Sequence, residues 1–156
     1  MPQIYVDADA CPVKAEVLKV AERHQMRVSM VANTGLRPSR DPLVRMVTVP
    51  KDPDAADDWI AEEIAASDIV VTADIPLADR ALKKDAYAIG PTGRIFDTSS
   101  IGMALAMRNL NQHLRETGES RGLNASFTPR DRSNFLQAFD TLCIKAKRTA
   151  PGGAAQ

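Results

Sequence analysis

The chain has 156 residues, 44% of them hydrophobic and 26% charged, and its 20 Lys/Arg balance 20 Asp/Glu. That is enough apolar chain for one globular domain with its own core, and it excludes disordered and collagen-like classes. No run approaches about 18 consecutive apolar residues, so no membrane span is expected, and 4% aromatics argue against a base-stacking platform for single strands.

The first segment, Ile4-Tyr5-Val6-Asp7-Ala8-Asp9-Ala10-Cys11-Pro12, is an apolar run closed by two aspartates and a proline. It reads as a buried strand over residues 3–6, a turn, and a helix over 12–24. Pro12 suits the first helical turn, and Val13, Val17, Leu18, Val20 and Ala21 recur at helical spacing. Arg27 to Ala32 reads as a second strand. Asn33 to Pro42, with Gly, Pro, Asn, Ser and Asp, reads as a loop. Val44 to Val49 reads as a short third strand. Asp52-Pro53-Asp54 then opens a helix over 55–66 with acidic residues in its first turn, where the helix dipole favours them. Asp68 to Thr72 is a fourth strand, and Ala73-Asp74-Ile75-Pro76 turns into a helix reaching Lys84. Asp85 to Ile89 is a fifth strand.

After Gly90-Pro91-Thr92-Gly93 the pattern changes. Ile101 to Thr117 reads as a long amphipathic helix ended by Gly118, followed by a linker over 118–128. The last helix is expected over Pro129 to Lys147, with Phe135, Leu136, Phe139, Leu142 and Cys143 on one face. Residues 148–156, rich in Gly, Ala and Pro, read as a disordered tail. The alternation predicts an α/β fold: a single domain over residues 1–147, a three-layer α/β/α sandwich around a mostly parallel sheet of about five strands.

In open sheets of this kind, ligands sit outside the carboxyl ends of the strands. Asp7 and Asp9 follow strand one, Asp74 follows strand four, and Asp54, Asp57 and Asp58 open the helix after strand three. Carboxylates converging from neighbouring strands repel one another unless a cation joins them, which makes the group a candidate Mg²⁺ or Mn²⁺ site. Each has a plainer reading. Asp54 suits a helix N-cap, Asp57 and Asp58 suit the dipole, and Asp9 suits the cap of the helix near Pro12. Asp79 sits mid-helix and reads as solvated. Asp7 and Asp74 each close a strongly apolar strand and favour function over these alternatives.

Residues 1–90 hold 11 Lys/Arg against 15 Asp/Glu, and residues 91–156 hold 9 against 5. An acidic half beside a basic half suits a metal site with a phosphate-binding flank. Arg108 and Arg115 lie seven apart on one helix face. Arg130 and Arg132 flank Asp131, and Lys14 lies in the turn after the Asp7–Asp9 loop. Cys11 lies near a helix N-terminus, where a thiol pKa falls, although a small packed thiol is the plainer reading. His24 and His113 lack metal-ligand spacing and read as surface residues. Two distant cysteines make no disulfide framework, and no signal-peptide pattern opens the chain, so a cytoplasmic location is expected. No P-loop, G-x-G-x-x-G, G-x-S-x-G or C-x-x-C is present.

Several segments together carry a resemblance: Val6 to Lys14 (VDADACPVK), Val31-Ala32-Asn33, Asp54 to Ile60 (DAADDWI) and Val70 to Ala78 (VVTADIPLA), with Ala106 to Leu110 (AMRNL), Leu114 to Gly118 (LRETG) and Asp131-Arg132 followed by Phe135. Over residues 3–144 the chain resembles the YaiI/YqxD family of uncharacterised bacterial proteins, regarded as PIN-like and related to metal-dependent ribonuclease domains. The resemblance implies a PIN-like central sheet. It implies catalytic roles for Asp7, for Asp57 or Asp54, and for Asp74, and Mg²⁺ or Mn²⁺ held by Asp7, Asp9, Asp54, Asp57 and Asp74. Lys14, Asn33, Arg108, Arg115 and Arg132 are the phosphate- or nucleic-acid-binding residues on this reading. Thr92 stands where the family's Pro-Arg-Gly turn has arginine, and Arg121 to Phe127 lacks its Gly-Gly-Pro.

The function expected is therefore metal-dependent phosphodiester hydrolysis of RNA, with no membrane partner and with a homodimer compatible. Two alternatives stay open. Asp7-x-Asp9 also resembles the nucleophile and acid pair of a haloacid-dehalogenase-type phosphatase. A non-catalytic RNA- or protein-binding module on the same fold is the third reading.

Overall fold

A computed structural model describes residues 2–33, 41–52, 54–103, 105–107 and 127–150. The elements in chain order are β1 (Ile4–Asp7), a 3-10 turn (Ala8–Ala10), α1 (Lys14–His24), β2 (Val28–Ala32), β3 (Val44–Thr48), α2 (Ala55–Glu63), β4 (Ile69–Val71), α3 (Ile75–Leu82), β5 (Tyr87–Ile89), β6 (Ile95–Phe96) and α4 (Pro129–Thr149). Residues 101–103 and 105–107 are also helical.

The strands form one sheet in the order β3-β2-β1-β4-β5-β6. β1 pairs in parallel with β2 and β4, β2 with β3, and β4 with β5; only β5 and β6 are antiparallel. From β1 the chain winds outward to β3, then returns to the other side of β1 with β4. Crossovers of one hand running in opposite directions put their helices on opposite faces. So α1 lies on one face with α4, and α2 and α3 lie on the other.

Strand alternation separates two cores. Ile4, Val6, Val28, Met30, Ile69 and Val71 pack with Val17, Val20, Phe135, Phe139 and Leu142 on the α1/α4 side. Tyr5, Val31, Val70 and Ala88 pack with Ile60, Leu77 and Ala81 on the α2/α3 side. Phe135 and Phe139 are fully buried and stack with centroids 5.1 Å apart, each burial stabilising by about 1.5–3 kcal/mol relative to exposure. α4 starts on a capping box, in which Thr128 and Asp131 each bond the other's backbone N–H.

The α/β sandwich is as expected, with differences at its edges. The sheet has a sixth strand, β6, too short for any periodicity to register. α4 runs to Thr149, two residues past the predicted end of the domain; residues 151–156 lie outside the described residues, as do Arg108, Arg115, His113 and most of the predicted long helix and linker. His24 is not a surface residue. Its ring is one-tenth exposed between α1 and α4, with Nε2 2.7 Å from Asp140 Oδ1 and Nδ1 3.1 Å from Lys147 Nζ. An ammonium only donates, so Nδ1 accepts and Nε2–H donates to Asp140. That bond, with Arg23 at 3.1 Å, holds the Asp140 carboxyl below the usual range.

Candidate functional site

The alternation that fills the two cores also aims the carboxylates. Tyr5 enters the α2/α3 core, so Asp7, two residues on, turns to that same side at the carboxyl end of β1. β4 ends beside it, and Thr72-Ala73-Asp74 leads into α3. β1 and β4 flank the point where the strand order changes direction, the crevice in which such sheets bind ligands.

Thr72 is buried and joins the two strands. Its Oγ1 donates to Asp7 Oδ2 at 3.2 Å and accepts the Asp74 N–H at 3.0 Å. Asp74 caps α3, with Oδ1 accepting the Leu77 N–H at 2.9 Å. From the facing helix, the first turn of α2 delivers Asp57 within hydrogen-bonding reach of Asp74. A cavity of about 250 Å³ opens here, lined by Asp7, Cys11, Thr72, Ala73, Asp74 and Pro91.

The electrostatics record the crowding. Burial raises the Asp7 carboxyl; the Thr72 bond offsets part of this, and the charges of Asp74 and Asp9 add to it. Burial also raises Asp57, and the charges of Asp74 and Asp7, the hydrogen bond to Asp74 and the charge of Asp54 carry it up to about 7. Burial raises the Cys11 thiol as well, so the lowering expected beside a helix N-terminus is outweighed and Cys11 stays a thiol.

Among the described residues no three His, Cys, Asp or Glu side chains form a ready-made metal cage. The donor chemistry nevertheless fits a hard divalent cation: Asp7, Asp57 and Asp74 offer only oxygens, and a cation would relieve the mutual repulsion that helps raise Asp7 and Asp57. The remaining candidates stand around this trio. Asp9 is exposed and its Oδ2 accepts the N–H of Asn33, the residue after β2, at 2.8 Å. Asp54 occupies the N-cap of α2 without a side-chain capping bond; it is Asp74 that caps. Asp58 pairs with Arg80 at 2.8 Å, and Asp79, read as solvated, is partly buried and pairs with Lys83 at 3.0 Å.

The basic residues are partly engaged. Lys14 Nζ donates to the Ala8 carbonyl at 3.3 Å. Arg132 lies 3.6 Å from Glu16 and over the ring of Phe127. The residue missing from the predicted site is Thr72. Its i, i+2 spacing to Asp74 was the available signal.

The family model of the uncharacterised YaiI/YqxD proteins matches residues 5–145. The chain belongs to the YaiI/YqxD family. A UPF0178 protein of Agrobacterium fabrum is 65% identical over 147 residues, covering 94% of this chain and 96% of the relative. One from Rhizobium etli is 66% identical over 147 residues, covering 94% and 95%, and one from Rhodospirillum rubrum is 56% identical, covering 94% and 98%. No solved structure matches this family member. Among the described residues no helix is long and apolar enough to cross a membrane.

Proposed function

We propose that the protein is a PIN-like, divalent-metal-dependent phosphodiesterase acting on RNA, with Asp7, Asp57 and Asp74 as its central residues. The observation carrying this reading is that Thr72 ties Asp7 and Asp74 together at the β1/β4 switch point, in a cavity both line, with Asp57 on α2 near enough to feel both charges. Asp9 and Asp54 complete the acidic surround.

Bound by these carboxylates, Mg²⁺ or Mn²⁺ would supply Lewis-acid polarisation of a phosphoryl oxygen. The chain's own residues do the rest. Thr72 holds Asp7 in one rotamer. The Leu77 N–H fixes Asp74 through Oδ1. Asp57, carried in by α2, would give up its proton when the cation binds, add a third oxygen donor and help orient the attacking water. Lys14, Asn33 and Arg132, with Arg108 and Arg115, would bind phosphates of the RNA strand, to which guanidinium forks are matched.

The test is Mn²⁺-dependent cleavage of single-stranded RNA by the wild-type chain, Asp57→Asn and Asp74→Asn, with EDTA as control. Loss of about 10²–10⁴-fold in either variant and complete loss in EDTA support the reading. RNA binding that survives EDTA without turnover would make the protein a binding module instead. Beryllofluoride trapped on Asp7 would assign the phosphatase alternative.

A further inference from the structure

At the opposite end of the strands from the aspartates, the sheet opens into a second cavity, of about 660 Å³. Its volume lies within the roughly 300–1,000 Å³ range of small-molecule sites. Tyr5, Ser29 and Arg45 line it, and they are register partners across β1, β2 and β3. Arg27, two residues before Ser29, lines it too. A parallel sheet beneath a helix layer is ordinarily apolar on that face. Here the same face carries a phenol, a hydroxyl and a guanidinium group in register across three strands, with the exposed Arg27 at the cavity's edge.

Arg45 is held in place. Its Nε and Nη2 donate to Ser29 Oγ at 3.3 and 3.1 Å, and its guanidinium lies 5.3 Å from the centre of the Trp59 ring. An arginine that only kept an edge strand soluble would extend into water rather than fold back onto a buried serine. Ser29, only 3% exposed, accepts both bonds and keeps its own hydrogen to give. Among the described residues neither Arg27 nor Arg45 is in an ion pair.

Two carboxylates share the lining, and both act on the Tyr5 hydroxyl ahead of Arg45, but among the described residues neither is paired with an arginine. Asp68 is buried and spends both oxygens on backbone: Oδ1 accepts the Gln3 N–H and Oδ2 the Ala65 N–H, each at 2.9 Å. Glu63 is exposed at the rim, and its carbonyl takes the Tyr5 hydroxyl at 3.4 Å. Two unpaired guanidinium groups and one free hydroxyl hydrogen match a doubly charged oxyanion better than a single carboxylate.

We propose that this cavity is a binding site for a small organic phosphate, its phosphoryl dianion held by Arg27, Arg45 and the Ser29 hydroxyl. The site is separate from the aspartate cluster and needs no metal.

Trp59 is the single tryptophan of the chain and touches Arg45, so its fluorescence reports on the cavity. The full chain is titrated in EDTA, at ionic strength held constant with NaCl, with inorganic phosphate, ribose 5-phosphate and citrate, and calorimetry measures the same binding without relying on Trp59. Expected are saturable responses to both phosphates, weakened about tenfold or more in Arg27→Gln and in Arg45→Gln. Arg45→Lys, which keeps the charge but loses the planar fork, weakens binding as well. No saturable response to either phosphate would overturn the proposal. So would tighter binding of citrate than of phosphate, or unchanged binding by an Arg27→Gln/Arg45→Gln chain whose circular dichroism spectrum matches wild type.

Discussion

The Thr72 hydroxyl stands 3.2 Å from Asp7 Oδ2 and is the one side-chain bond joining the carboxyl ends of β1 and β4 among the described residues. It also receives the Asp74 N–H, so one buried group positions both aspartates. Thr72→Val keeps the shape and removes both bonds. Leaving a part-buried carboxylate and an N–H without this partner costs about 1–3 kcal/mol. Urea unfolding should show that loss, and the Asp7 carboxyl, freed of the bond that lowers it, should titrate higher by NMR. An unchanged Asp7 titration would show that the bond does not govern the carboxylate.

Asp57 makes stability depend on pH in a stated direction. Its folded pKa of about 7 lies above the ordinary 3.8, so between those values the folded state holds a proton that the unfolded chain has lost. Its contribution is complete below about pH 4 and is lost as the pH rises through 7. Asp57→Asn removes the titration. The variant should be more stable than wild type at pH 8, and its melting temperature should vary less between pH 4 and 7. Because Asp57 is only half-buried, solvent screening limits the size of the effect. Parallel pH profiles for the two proteins would contradict the assignment.

A cation and the Asp57 proton compete for the same oxygens. Mn²⁺ should therefore raise the melting temperature more at pH 8 than at pH 6, with proton release on binding at the lower pH. In Asp7→Asn the shift should shrink at both pH values. Thermal scans across a Mn²⁺ series measure this directly, and a shift independent of pH would separate metal binding from Asp57.

Gly93 has φ of +92°, and a Cβ there would lie 2.8 Å from the backbone of Asn134 in α4. The turn it closes carries Pro91, a wall of the aspartate cavity. Gly93→Ala combines an unfavourable dihedral, costing about 1–3 kcal/mol, with a clash against backbone that cannot swing away. A melting temperature several degrees lower is expected, and an unchanged one would mean that the turn is not pinned to α4.

The sheet was legible because its strands are compact apolar runs bounded by turn residues. Ile69-Val70-Val71, β-branched throughout, is one such run, and Asp7 and Asp74 stand where such runs stop. β6 was hidden because two residues have no period. Asp54 stands at the N-cap of α2 as expected but makes no side-chain bond there, whereas Asp74 caps α3 with its side chain, since such a bond depends on the approach of the backbone as well as on residue type. His24 looked like a surface residue because its partners, Asp140 and Lys147, lie more than a hundred positions away. Ser29 and Arg45 were unremarkable within their own strands, and only the parallel register sets them side by side.

α4 supplies Phe135, Phe139, Leu142, Cys143 and Ala146 to the core that β1 and α1 begin, and Thr149 bonds to Ser67, just before β4, and to Tyr87 in β5. The first strand made by a ribosome thus waits for the last helix before its apolar face is covered. Until residue 149 has emerged, one side of the growing sheet stays open to water and to other chains, so this domain completes its folding only after nearly all of it has been synthesised.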